Sequence, residues 1–425
     1  MKKIIFLFAA ASIFVQIGLF AAPVTEKLPS GATLVFEENH SAPLVAADIW
    51  FVSGSAYDGP LPAGTAHLAE HCAFNMTKNR PAGRIDWDAE CLGTTLDAHT
   101  SRDWIHYSCT VPSRYIEKAL DILSDAVINP VYDEGETDIE KRIVADELSR
   151  KSMTPFSVMK DFLAADLYES NPYGRPIEGY PDTVAKITRD DLMKFRSTRL
   201  TAARCAVVLV GDITKEKASE LASKYFTLEK GEPAPPIPEP KTPQYSERVV
   251  NIPYVLTYTG FGFMGPKAED FDEVCAVDVL VTCLVRGGMG LINRAVKGDC
   301  RSDFLTSKGR GMITIGFSCK EEEAAANEAA LLQVIEEAKA GVDPAVAEAA
   351  KRYLLGTSAF DNETFGGRAS ALGFYFTLGG PDLADKYIDG VRAVTPERVS
   401  AAAKKYLDKA HAKKVVFTAK KEAAK

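Results

Sequence analysis

The sequence lacks the compositional features of several protein classes. It holds 8 cysteines in 425 residues, too few for a small scaffold stabilised mainly by disulfides, and most lie in strand-like or helix-like runs that favour buried thiols. It has no long run of basic residues, and 58 acidic against 50 basic side chains give a net charge of -8. A net-acidic chain of this kind is a poor candidate for binding nucleic acid. With 46% hydrophobic and 25% charged residues, the composition excludes a mainly disordered chain and favours two or three globular domains.

A long hydrophobic run occurs only at the start of the chain. Two lysines precede an apolar stretch over residues 4–20, and the small residues Ala21 and Ala22 follow it. A basic start, an apolar middle and small residues after it are typical of a secretory signal peptide, although the stretch is near the lower limit for a membrane anchor. We predict a signal peptide over residues 1–21 and a periplasmic or secreted protein that is not inserted in a membrane after cleavage.

A proline-rich stretch divides the remaining chain. Six prolines occur between residues 233 and 243, a density that is incompatible with helix or sheet and predicts a stiff, extended linker. We therefore predict a first domain over residues 22–230, a linker over 231–245 and a second domain over 246–425, each domain being of ordinary size.

The two parts resemble each other in sequence pattern. Residues 184–211 and 391–419 each contain a threonine placed to cap a helix (Thr188 and Thr395), then an amphipathic stretch and a β-branched, apolar strand. Alternating strand patterns also open both parts, at 33–51 and within 248–263. Strands at both ends with helices between them predict an α+β unit that is used twice.

One segment has the residue pattern of a metal-binding site. Residues 64–75 read GTAHLAEHCAFN, and no proline or glycine interrupts the helix-like sequence between residues 65 and 77. His67 and His71 are four positions apart and project from one helix face, where they can fill two positions of a tetrahedral zinc site. Glu70 can then act as the general base for a metal-bound water. A structural histidine pair is the alternative, but this H-x-x-E-H order arises by chance in on the order of one chain in a hundred or fewer.

Two histidines do not complete a zinc site, so a third protein ligand is required. Residues 133–151 predict an acidic helix in which Glu140 and Glu147 share a face. A carboxylate on such a helix is more often a solvated surface group, and the need for a third ligand singles out Glu147 or Glu140. The same helix carries an apolar stripe that is expected to face the core: Ile139, Ile143, Val144 and Leu148.

With these residues the chain resembles the zinc peptidase family of pitrilysin, insulysin and the mitochondrial processing peptidase. That family carries H-x-x-E-H followed about 75 residues later by a glutamate ligand, and here 76 residues separate His71 from Glu147. The resemblance implies that His67, His71 and Glu147 bind one Zn2+ per chain and that Glu70 is the base. It also implies that Glu140 supports the site from behind the ligands as part of the catalytic group.

The resemblance covers most of residues 28–227 strongly and the second part weakly. It implies two homologous domains, each a mixed, mainly antiparallel sheet flanked by helices, that form half of a clamshell. Within residues 93–107 it implies an edge strand, where Asp97 and Ala98 bind peptide substrate by β-augmentation. The family usually has Asn where Asp97 stands, so the substitution is expected to add negative charge beside the metal.

A second departure concerns partners. Catalytic relatives often present an Arg and a Tyr from the second domain, but the matching segment, residues 289–304, has Val296 or Lys297 near the first position and Phe304 near the second. The resemblance therefore implies the zinc-bearing subunit of a heterodimer whose related partner carries the Arg/Tyr pair, or else a homodimer. We predict a zinc-dependent metalloendopeptidase that hydrolyses unfolded peptides in a closed chamber. The alternative is a non-catalytic scaffold or peptide-binding subunit of the same fold.

Overall fold

The computed structural model describes residues 23–252 and 254–419. The predicted signal peptide, residues 1–21, lies outside the described residues. Within the described ranges, the helices are all too short or too polar to cross a membrane.

The first half is built on a six-stranded sheet in the order β1-β2-β6-β3-β5-β4. Its strands are β1 (Val24–Lys27), β2 (Thr33–Glu38), β3 (Leu44–Phe51), β4 (Asp97–Thr100), β5 (Ile105–Pro112) and β6 (Cys205–Gly211). Neighbouring strands are antiparallel except β2 and β6, which run parallel. Strand β4 is at the edge of the sheet, as predicted, so one row of its backbone groups is not used by the sheet.

The second half repeats this arrangement with five strands in the order β7-β11-β8-β10-β9. These strands are β7 (Ser246–Ile252), β8 (Thr257–Met264), β9 (Asp299–Leu305), β10 (Met312–Cys319) and β11 (Lys413–Ala419). Strands β7 and β11 are parallel and the other neighbours are antiparallel. The second sheet therefore repeats β2-β6-β3-β5-β4 of the first, which confirms the duplicated α+β fold with mixed, mainly antiparallel sheets.

Helices flank both sheets. Those of the first half are α1 (Thr65–His71), α2 (Arg84–Glu90), α3 (Ile116–Ile128), α4 (Glu134–Ser152), α5 (Pro155–Tyr168), α6 (Pro181–Val184), α7 (Arg189–Arg199) and α8 (Lys215–Tyr225). Those of the second half are α9 (Phe271–Val285), α10 (Leu291–Ala295), α11 (Ala324–Ala340), α12 (Pro344–Asp361), α13 (Phe365–Leu378), α14 (Leu383–Ala393) and α15 (Pro396–Tyr406). The predicted caps are confirmed, because Thr188 accepts a hydrogen bond from the backbone N–H of Asp191 and Thr395 from that of Arg398.

One helix from each half packs on the sheet of the other half. Helix α13 of the second half packs on β3 and β6 of the first sheet, and α5 of the first half packs on β8 and β11 of the second sheet. The apolar side chains under α13 and those under α5 form two clusters that contain residues from both halves. Residues 231–245 form no helix or strand, which is consistent with a linker. The domain boundaries themselves stay a prediction.

One local prediction was wrong, and a second was confirmed only in part. The helix of the histidine motif ends at His71 and tightens into a 3-10 turn, because the chain turns away to form a β-bridge between Thr77 and Pro130. On α4, the predicted apolar stripe faces the core only in part: Val144 is buried and Leu148 packs against the core. Ile139 and Ile143 are 41% and 39% exposed, because the helix turns the face with Glu140 and Val144 into the protein. The eight cysteines are free thiols, all buried except Cys91.

Candidate metal centre

The start of α1 is held by a buried carboxylate. Asp58 Oδ2 accepts a hydrogen bond from the backbone N–H of Gly64 at 3.0 Å, and its Oδ1 accepts one from Ala66 at 2.9 Å. Gly64 has a φ of 95°, and a Cβ there would lie 2.6 Å from the carbonyl oxygen of Glu178, so glycine is required at this turn. These contacts fix the direction in which His67 and His71 leave the helix.

The structure brings His67, His71 and Glu147 together. Glu147 Oε2 lies 3.9 Å from His67 Nε2 and 3.6 Å from His71 Nε2, and one donor atom from each residue lies within 4.8 Å of the others. Donor atoms around one tetrahedral zinc ion, with bonds of about 2.0–2.2 Å, are separated by roughly 3.3–3.6 Å. Two imidazoles and one carboxylate at nearly this spacing fit a zinc ion with a fourth position left for water.

Glu140 lies behind the ligands. Its Oε2 is 3.0 Å from His71 Nδ1, and its Oε1 accepts a hydrogen bond from the Asn75 amide at 3.0 Å. Burial favours the neutral carboxyl, but the hydrogen bonds from His71 and Asn75 outweigh it and lower the pKa of Glu140. A carboxylate at Nδ1 directs the other ring nitrogen of His71, Nε2, toward Glu147 and the metal position.

The pKa values of the two histidines are shifted in opposite directions. Burial, together with the neighbouring His71, lowers the pKa of His67 to about 4, so its imidazole is neutral near pH 7. Burial also disfavours the charged form of His71, but the hydrogen bond to Glu140 and the carboxylates of Glu70 and Glu147 outweigh it and raise its pKa.

Glu70 is a buried carboxylate beside this group. It is 8% exposed, and burial raises its pKa, which is the direction that suits a general base working near neutral pH. Its Oε2 accepts a hydrogen bond from the hydroxyl of Thr100 on β4 at 2.9 Å. Sequence reasoning missed Thr100, although its place two residues after Ala98 puts both side chains on the same face of the strand.

The other face of β4 carries Asp97. Asp97 alternates with Ala98 along the strand, its side chain is 66% exposed, and its Oδ2 lies 3.2 Å from His99 Nε2. Ala98 packs against the core on the α1 side. The strand turns the side chain of Asp97 to the face opposite Ala98 and Thr100, and the expectation that it adds charge beside the metal stays a prediction. Binding of substrate at Asp97 and Ala98 stays a prediction.

Of the positions expected to differ from the Arg/Tyr pair, Val296 and Phe304 lie in the core of the second half, whereas Lys297 is exposed. Val296 and Phe304 are 5% and 8% exposed and pack in its apolar cluster. An arginine does stack on a tyrosine nearby, with the Arg286 guanidinium 4.0 Å from the centre of the Tyr353 ring, and both residues line a cavity of about 550 Å³ beside β9. Neither residue belongs to the segment 289–304 from which the pair was expected.

Comparison with known families gives two matches along the chain. Residues 33–180 match the family described as insulinase (peptidase family M16), and residues 186–354 match the peptidase M16 inactive domain. His67, Glu70, His71, Glu140 and Glu147 all lie within the first of these regions.

The chain is also similar in sequence to individual proteins, among them a processing peptidase subunit, a cytochrome b-c1 subunit and a zinc protease. The chain is 30% identical over 273 residues to a probable mitochondrial-processing peptidase subunit beta of Arabidopsis thaliana, which covers 63% of this chain and 51% of the relative. It is 28% identical over 193 residues to cytochrome b-c1 complex subunit 1 of Bos taurus, covering 45% and 40%. It is also 29% identical over 199 residues to an uncharacterized zinc protease of Mycobacterium leprae, covering 47% and 45%. The matched regions thus span about half the length of these relatives or less.

Solved structures extend the likeness to nearly the whole chain. The peptidase M16 inactive domain from Pseudomonas fluorescens has a TM-score of 0.85 at 24% identity and covers 95% of this chain and 100% of its own. A protease from Helicobacter pylori has a TM-score of 0.85 at 20% identity and covers 93% and 99%. At these identities the structures show a shared fold. Because both halves of the duplicated fold match regions of one family in sequence, the chain belongs to peptidase family M16.

Proposed function

We propose that the chain is a zinc-dependent metalloendopeptidase that cleaves unfolded peptides, as the zinc-bearing subunit of a two-subunit enzyme. The observation that carries this proposal is the convergence of His67, His71 and Glu147 beside the buried carboxylate of Glu70. A peptidase needs both parts, since the ligands hold the metal and a carboxylate moves protons. Residues 1–21 support export, so the periplasm or the exterior of the cell is the proposed location.

Each residue of the site has a separate task. His67, His71 and Glu147 would hold a zinc ion, which supplies a water of lowered pKa and polarises the scissile carbonyl. Glu70 accepts the proton of the attacking water on its carboxylate and delivers it to the nitrogen of the leaving amine. Glu140 keeps His71 oriented through Nδ1. The free edge of β4, at Asp97 and Ala98, aligns the peptide as an added strand.

Replacement of the proposed base is the direct test. We expect Glu70→Gln to retain about one zinc per chain, because Glu70 is not a ligand, and to lose at least about 100-fold in peptidase rate, because proton transfer by a positioned base contributes about that much or more. Zinc content is measured by elemental analysis and rate with an unstructured fluorogenic peptide. Glu134→Gln, an exposed change on α4, serves as the control. Wild-type activity of the Glu70→Gln protein would contradict the mechanism.

A non-catalytic subunit is the second candidate, and two findings favour it. Residues 186–354 match a domain described as inactive, and one relative is a subunit of the cytochrome b-c1 complex. A scaffold has no need of zinc, so metal analysis separates the candidates. Protein that contains about one zinc per chain and loses it in His71→Ala supports the peptidase, whereas metal-free protein with full stability supports the scaffold.

A further inference from the structure

The side chain of Glu70 is oriented by a strand and not only by its own helix. The hydroxyl of Thr100, on β4, donates a hydrogen bond to Glu70 Oε2 at 2.9 Å. Glu70 is almost fully buried, so this bond is shielded from water and is stronger than the same contact at the surface. The position of the carboxylate therefore depends on the position of β4.

Strand β4 has little to hold it in the sheet. It is four residues long and pairs on one side only, with β5. A short edge strand of this kind frays more readily than an inner strand. Its place is maintained instead by the turn that follows it, where the carbonyl of Ser101 accepts a hydrogen bond from Ser55 N and that of Arg102 accepts one from Ala56 N, both at 2.9 Å.

The same turn is attached to the second half of the molecule through Asp103. This side chain is 3% exposed; its Oδ1 accepts a hydrogen bond from the hydroxyl of Tyr173 at 2.5 Å, and its Oδ2 accepts one from the backbone N–H of Lys308 at 2.8 Å. The Tyr173 hydroxyl in turn accepts a bond from the N–H of Gly309 at 2.9 Å. Lys308 and Gly309 form the turn between β9 and β10, so the turns that follow the two edge strands meet at one buried carboxylate.

We propose that Thr100 is a positioning residue for Glu70, and that the second half of the chain keeps Thr100 in place through Asp103 and Tyr173. The second half thereby contributes to catalysis by the first half without placing a side chain at the metal. This inference rests on the proposed peptidase function, because it assigns Thr100 and Tyr173 roles that act through Glu70. It concerns the rate of the reaction and not the binding of zinc.

The first experiment removes the hydroxyl of Thr100 with no other change in shape. We expect Thr100→Val to lower kcat by about tenfold or more, since a hydrogen bond to a charged group is lost, with KM and zinc content within about twofold of wild type. Thr100→Ser keeps the hydroxyl and is expected to restore most of kcat. An inactive Glu70→Gln protein together with a fully active Thr100→Val protein would overturn this inference and leave the proposed function intact. An active Glu70→Gln protein would overturn both.

The second experiment compares two tyrosines that contact the same turn of the second half. Tyr173→Phe removes the hydroxyl that joins Asp103 to Gly309, whereas Tyr168→Phe removes a bond of similar length, 2.7 Å, to the carbonyl of Arg310. In the metal-free protein we expect Tyr173→Phe, but not Tyr168→Phe, to raise amide hydrogen exchange in residues 97–103 by about tenfold, and to lower kcat in the zinc-loaded protein. Equal exchange and equal kcat in the two variants would overturn the role of the second half.

Discussion

Asp278 is a single carboxyl group whose environment makes stability depend on pH. It lies on α9 facing the cavity beside β9, where burial and the nearby Asp303 raise its pKa to about 7, against a hydrogen bond from the hydroxyl of Tyr387 that lowers it. Because the folded protein holds this proton more tightly than the unfolded chain, the stabilisation is complete below about pH 4 and is lost as the pH rises through about 7.

We therefore expect Asp278→Asn to flatten the pH profile of stability. Between about pH 5.5 and 8, the wild type should lose at least about 1 kcal/mol more of its unfolding free energy than the variant, which has no carboxyl to ionise. Urea unfolding at the two pH values measures the difference. Asp272→Asn, at an exposed position of the same helix, is the matched control. Parallel pH profiles for wild type and Asp278→Asn would contradict the expectation.

Single residues also show how far the site could be predicted from the sequence. His67, Glu70 and His71 follow from their spacing, because an α-helix places such residues on one face whatever surrounds it. Glu147 could be chosen over Glu140 only through the family resemblance, since both lie on one face of α4. They differ in burial, with side chains 34% and 12% exposed, and the sequence does not reveal this difference. Alternation along β4 places Thr100 on the same face as Ala98, but its bond to Glu70 could not be predicted, because the bond joins a strand to a helix 30 residues away.

At the scale of elements, the contact between α13 and the first sheet depends on one glycine. A Cβ at Gly373 would lie 2.0 Å from the Nε1 of Trp50 on β3, so the helix can approach the strand only without a side chain there. Arg368 on the same helix forms an ion pair with Glu37 on β2 at 2.8 Å, and both are buried.

We expect Gly373→Ala to destabilise the protein by about 1–3 kcal/mol, since overpacking forces the helix or Trp50 to move. Gly356→Ala on α12 is a suitable control, because a Cβ there would meet nothing within 4 Å and alanine favours the helix. Chemical unfolding of both variants measures the two effects. Equal stability of Gly373→Ala and wild type would show that α13 does not dock as closely as described.

The elements differ in how well they could be predicted. The acidic helix was expected over residues 133–151 and extends over Glu134–Ser152, since its start has an aspartate cap and its composition favours helix throughout. The docking of α13 on the other half was not predictable. Its sequence shows a small, apolar face, but an apolar face does not specify which sheet it covers when two similar sheets are present.

At the scale of the whole molecule, the fold is duplicated but the site is not, since the described residues contain one candidate metal centre. The second half repeats the strand order of the first, but its helices α9 and α12 contain no histidine. The second half instead covers the first sheet with helix α13, and its turn at Lys308 donates a hydrogen bond to Asp103. Repeated sequence patterns could predict the two units, but the contacts between units join residues more than 200 positions apart in sequence and have no local signal.

A second subunit is expected to supply contacts that this chain lacks. In the segment 289–304, Val296 and Phe304 lie in the core of the second half and Lys297 is exposed, so none of these positions carries the Arg or Tyr that the resemblance expects opposite the zinc. We therefore expect the purified chain to be a weak peptidase by itself. A related subunit that carries the Arg/Tyr pair but lacks H-x-x-E-H should raise kcat/KM by at least about tenfold, since it would add transition-state contacts. Peptidase assays and light scattering on the separate and mixed proteins measure activity and assembly, and a mixture made with the Glu70→Gln chain must stay inactive if cleavage occurs at this site. Strong activity of the chain alone, as a monomer or homodimer, would show that the second subunit is not required.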